Sequence, residues 1–137
     1  MEHILYDSLE DMIRPETLGG LENKTFTATH LAPFQGVGWS ASGSKFLAIH
    51  TTNGNQVNSG NSPHYVIKRV SREWDWIMHA TGDRYGRTTT LWQHGILDRL
   101  PEEIEHTVVA CATDGTGRAI LMRDVRETLL PDSEQPI

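Results

Sequence analysis

Alternation is the first order visible in this chain. Phe26, Ala28 and His30 alternate with Thr25, Thr27 and Thr29. A β-branched set facing a less polar one predicts a strand beginning near residue 24. Pro33 ends it or marks it as an edge, because proline cannot donate to a ladder. A second strand is predicted over 46–51. A third, the strongest, covers 65–70, where Tyr65, Val66, Ile67 and Val70 dominate. Residues 34–44 between the first two are rich in glycine and serine, so strand, turn and strand read as a hairpin. Residues 53–63 are turn formers, with Asn53-Gly54 the sharpest signal, and predict a loop.

Helical spacing governs much of the rest. Residues 15–21 open on Pro15 and Glu16 and close on Gly19-Gly20, the asymmetry of a short helix. Residues 1–14 before them are an N-terminal arm or short helix. Ser71 is a candidate cap for a helix carrying Trp74, Ile77 and Met78, which Gly82 interrupts. A further helix is predicted over 84–100, with Tyr85, Trp92, Ile96 and Leu100 on one face and Pro101 as its stop. Thr88-Thr89-Thr90 lowers its propensity, so packing must hold it. A last hairpin spans 106–112 and 118–125 around Asp114-Gly115 and Gly117. The fold class that follows is α+β: about five strands in a mostly antiparallel sheet, with helices packed on one face.

Composition narrows the function. The 137 residues suit one core, and a net charge of −6 argues against a nucleic-acid footprint. The richest basic stretch, Lys68-Arg69 with Arg72, is broken by apolar residues. No basic start precedes an apolar run, and no stretch nears the ~20 apolar residues of a membrane helix. Cys111 stands alone in an apolar run, as a small buried hydrophobe, so no internal disulfide forms and a reducing cytoplasm is expected. The histidines show no i, i+4 pair, so no metal site is predicted. No Gly-x-Ser-x-Gly elbow is present. Trp39, in the glycine-rich turn, is placed to cover a ligand or another lobe.

The candidate chemistry lies in the order of the pieces. Gly36, Gly38 and Gly43 can bring backbone N–H groups close to phosphate oxygens, because no Cβ intervenes. Lys68, on the next strand, can reach those phosphates as a point charge. An acid on the following helix would fix the lysine; Glu73 is the candidate partner, with Asp75 and Asp83 as substitutes.

These residues carry a resemblance. Tyr65-Val66-Ile67-Lys68 resembles the V-A-I-K strand of protein kinases. Residues 119–125 resemble the strand leading into the hinge of the aminoglycoside phosphotransferase and choline kinase-like superfamily, and 83–101 is similar to small-molecule phosphotransferases of that group. The likeness spans 15–132. It implies a kinase-like N-terminal lobe over 15–130, with 131–137 leaving it as a tail toward a hinge. Gly36, Gly38, Ser40, Ser42 and Gly43 would cover the phosphates of ATP, and Lys68 would contact them. Met122 would back the adenine pocket, while the Arg123 carbonyl and the Val125 N–H would face the base.

Residues 86–91, where that family carries its helix acid, contain none, and Thr88 stands in the place. The family's catalytic aspartate and its metal-binding asparagine and aspartate would fall beyond residue 137. The implied function is therefore the nucleotide-binding small lobe of an ATP-dependent small-molecule phosphotransferase, inactive on its own. Magnesium would bind only with a large lobe supplied. Implied partners are the nucleotide and a separate large lobe, or a second copy docking on the face that lobe would cover. No nucleic-acid or membrane partner is expected. The second reading is a non-catalytic binding or interaction domain that keeps the small-lobe fold.

Overall fold

The computed structural model describes residues 2–34, 43–53, 56–57 (backbone only) and 65–124. Five main strands form one antiparallel sheet: β1 (Ala28–Pro33), β2 (Lys45–Asn53), β4 (Tyr65–Val70), β5 (Val108–Asp114) and β6 (Gly117–Arg123). A two-residue strand, β3 (Gln56–Val57), folds back on the end of β2. The spatial order is β1-β2-β4-β6-β5. Among the described residues, four short helices complete the α+β fold: α1 (Leu9–Met12), α2 (Pro15–Glu22), α3 (Trp76–Thr81) and α4 (Arg87–Gln93). Among the described residues, no helix is long and apolar enough to cross a membrane.

Register fixes which side chains share a face, because residues directly opposite one another point the same way. Phe46, Lys68, Ile120 and Cys111 lie across from one another and form one face. Leu47, Ile67, Leu121 and Ala110 form the other, with Tyr65 and Arg123 further along it. Ile67 and Leu121 are fully buried there. α3 and α4 lie over the lysine face, where Ile77, Met78 and Thr88 line one cleft with Lys68, Val70 and Ile120. On the tyrosine face, Glu22 of α2 bonds Arg123, and the Phe26 ring meets Tyr65 edge-on at 6.4 Å. The N-terminal segment thus adds a layer that sequence periodicity did not place.

Several helix ends differ from the sequence reading, each for a local reason. Gly19 and Gly20 lie inside α2, and Asn23 takes the left-handed cap at φ 53°. Gly19 is required for packing instead, since a Cβ would stand 2.6 Å from the Lys24 carbonyl oxygen. Asp75, not Ser71, caps α3, accepting from the Ile77 and Met78 amides. The Ser71 hydroxyl instead accepts from the Glu73 amide, a local turn that precedes the helix. The helix expected over 84–100 is shorter, because Gly95 turns left-handed at φ 69° and only a 3-10 turn, Leu97–Arg99, follows.

The N-terminal arm also joins the sheet. Tyr6 pairs in parallel with Ala112, its amide donating to the Cys111 carbonyl at 3.1 Å. This covers part of the β5 edge, which would otherwise present unpaired backbone groups. His3 holds the arm down: its ring stacks on Trp92 at 4.8 Å and its Nε2 lies 2.6 Å from Asp98 Oδ2. His106 reaches the other Asp98 oxygen at 3.4 Å. The His3 bond holds the Asp98 carboxyl below the usual aspartate value. The carboxylate's share of the latch is therefore in place above about pH 4 and is lost as pH falls through the lowered value. Asp98→Asn should melt earlier than the wild type near neutrality, and the gap should close in acid. A gap independent of pH would dismiss the latch.

Candidate functional site

β4 places Lys68 near the sheet end where the glycine-rich segment returns, directly opposite Phe46 of β2. Lys68 lines a cleft of about 210 Å³ with Asp75, Asp83, Arg87 and Thr88. Two of the acids considered from sequence therefore reach the lysine's cleft, but each is already committed. Asp75 is buried; its Oδ1 accepts from the Ile77 and Met78 amides at 3.1 and 3.2 Å, and its Oδ2 accepts from the Ser44 hydroxyl at 3.1 Å. Asp83 accepts from the amides of Tyr85, Gly86 and Arg87. Among the described residues, Lys68 makes no ion pair.

Glu73 stands elsewhere. It is exposed and lines a separate hollow with Ser71, Arg72 and Arg118, so it does not serve Lys68. Gly43 is held against Trp74 and Asp75 with φ 95°, and a side chain there would overlap the Trp74 carbonyl. Its glycine identity thus has a packing cause. Gly36, Gly38, Ser40, Ser42 and Val125 lie outside the described residues, as does Trp39.

Met122 sits on the lysine face opposite Val66, one step along β6 from the level of Lys68 and Ile120. The Arg123 side chain points to the other face and forms a two-bond pair with Glu22, at 3.2 and 3.0 Å. Burial opposes the Glu22 charge, but bonds from Arg123 and the Tyr65 hydroxyl outweigh it and keep the carboxyl below its ordinary value. Burial, with Glu22 beside it, pushes the Tyr65 hydroxyl up. Cys111 is fully buried and its thiol is pushed up to about 12, which leaves it an inert core residue.

The basic stretch read from sequence disperses once folded. Lys68 turns to its cleft, and Arg69 turns to the opposite face, where it bonds Asp114 at 2.7 Å. Lys45 and Arg69 both lie over the Trp74 ring, at 4.3 and 5.9 Å from its centroid. Arg72 joins Arg84 and Arg118, from two other elements, around the hollow that Glu73 lines. Sequence reasoning missed this convergence, since no local run of basic residues marks it. Among the described residues, no three His, Cys, Asp or Glu side chains are grouped to hold a metal ion.

No family model, curated protein or solved structure matches this chain.

Proposed function

We propose that this domain holds the phosphate end of a nucleotide against Lys68 and does not itself carry out transfer. One observation supports this reading above others: Lys68 shares a cleft with Arg87 and Thr88, while both carboxylates there are spent on backbone amides. A lysine with no ion-pair partner among the described residues is open to phosphate oxygens. The same commitments leave neither Asp75 nor Asp83 arranged to hold magnesium or act as a base. The cleft, about 210 Å³, is smaller than the ~300 Å³ at which ligand pockets begin. It suits phosphates, with the base lying beyond it toward Met122.

Calorimetry with a non-hydrolysable ATP analogue tests this. Binding by the wild type should weaken at least about tenfold in Lys68→Ala, which corresponds to about 1.4 kcal/mol. Absence of binding by the wild type, or equal binding by the variant, would remove the proposal. The second reading, an interaction domain, is favoured by Trp76 and Ile77, adjacent on α3 and 61% and 43% exposed. It expects no heat with nucleotide and concentration-dependent association in sedimentation.

A further inference from the structure

A second convergence of charge, outside the Lys68 cleft, lies where β4 ends beside the β5–β6 turn. Arg72 follows β4, Arg84 sits in the turn between α3 and α4, and Arg118 follows Gly117 in β6. All three line one hollow of about 740 Å³. It shares no lining residue with the Lys68 cleft. In an acidic chain such a convergence is unexpected, because like charges repel unless something offsets them. Among the described residues, Glu73 is the sole carboxylate lining the hollow, and none of the three arginines forms an ion pair. Asp114, close by in the chain to Arg118, is committed to Arg69.

The hydrogen-bond accounting points the same way. The Nε–H groups of Arg72 and Arg118 are enclosed without an acceptor among the described residues. Arg118 spends one terminal nitrogen on the Gly117 carbonyl and lies over the Tyr85 ring, 5.5 Å from its centroid. Enclosed donors without acceptors are costly, and an entering anion supplies acceptors to the same guanidinium groups. The Thr116 hydroxyl stands at the same place, in a 3.3 Å hydrogen bond with that of the buried Ser71.

We infer that this hollow is a binding site for a phosphate dianion, either free or as the head of a phosphate monoester. With His79 on the same lining counted as neutral, three guanidinium charges against one carboxylate leave two positive charges in excess, which a dianion balances and a simple carboxylate does not. Arginine's planar fork also matches phosphate oxygens in pairs.

The test is a titration of the isotope-labelled chain followed by NMR, at constant ionic strength and about pH 7.5, where a phosphate monoester with second pKa about 6 is a dianion. Inorganic phosphate, phenyl phosphate and acetate are compared. Inorganic phosphate should shift the amides of Ser71, Arg72, Thr116 and Arg118 and the arginine Nε–H signals in a saturable way. Saturation by phenyl phosphate as well identifies the head of an ester; saturation by inorganic phosphate alone identifies the free ion. Arg84→Gln, an exposed position that leaves the fold intact, should weaken binding at least about tenfold, and Arg118→Gln should do the same. Lys68→Ala should leave it unchanged, which separates this site from the nucleotide reading. No saturable shift, an equal response to acetate, or undiminished binding by Arg84→Gln would overturn the inference.

Discussion

Gly117→Ala is expected to leave the domain unfolded or barely stable at room temperature. Gly117 opens β6 where that strand passes the end of β4, and an added Cβ would overlap the Val70 carbonyl oxygen and stand 2.8 Å from Ser71 Cβ. The first obstacle is backbone, so no side-chain rotation relieves it; the two strands must separate. Overpacking of a core costs about 1–3 kcal/mol, and a backbone obstacle belongs at or above the top of that range. Against a total stability of about 5–15 kcal/mol, such a loss is a large fraction. Urea denaturation reads it directly. Gly20→Ala is the matched control: nothing lies within 4 Å of its added Cβ, and the position is helical. That variant should unfold at equal or higher urea, since alanine is the better helix former. Equal midpoints for Gly117→Ala and the wild type would refute the close approach of β4 and β6.

The second large effect is expected at Asp75. Its carboxylate ends two otherwise unpaired helix amides and accepts the buried Ser44 hydroxyl, so one side chain ties α3 to the start of β2. Loss of the cap alone costs about 1 kcal/mol, and loss of the buried bond from Ser44 to a charged acceptor adds about 1–3 kcal/mol. Asp75→Ala should therefore lower stability by about 2–4 kcal/mol and raise hydrogen exchange at Ile77 and Met78. Asp75→Asn keeps an acceptor for the amides and should cost less. Glu73→Ala, at an exposed position, should cost almost nothing. If Asp75→Ala is as mild as Glu73→Ala, Asp75 does not hold the two elements together.

What could be read from sequence divides along physical lines. The strand at Tyr65–Val70 has the bounds that its β-branched and aromatic run predicts, because turn formers precede it and Ser71 follows. The last hairpin lies within two residues of its expected bounds, set by Asp114-Gly115. The antiparallel α+β class follows from these. Helix ends were less legible, because several residues near each end can do the same job. Ser71 and Asp75 are both good caps, and only tertiary packing, with Ser44 delivered to Asp75, selects between them. Gly19 carries the composition of a helix end while serving a close backbone approach. The Tyr6 pairing to Ala112 had no local signal, since it depends on where β5 sits in the finished sheet.

The sites divide in the same way. Lys68 could be named from its strand, and Asp75 and Asp83 could be named as possible companions. That both are consumed as caps is a property of the folded turns. Arg72, Arg84 and Arg118 come from three separate elements, so no composition window shows them as a cluster. The resemblance to a kinase small lobe rests on Lys68 and the hinge-like strand. The site's chemistry departs from it where the helix acid should be.

If Lys68 holds the phosphates, a nucleotide settles on the lysine face of the sheet. Ile120 and Met122 carry methyl groups on the lysine face, whereas Leu47 and Leu121 carry theirs on the other. Methyl NMR during titration with a non-hydrolysable ATP analogue separates the two. Saturable shifts are expected at Ile120 and Met122, abolished in Lys68→Ala, with Leu47 and Leu121 unmoved. Shifts confined to Leu47 and Leu121, or no saturable shift anywhere, would contradict nucleotide binding at Lys68.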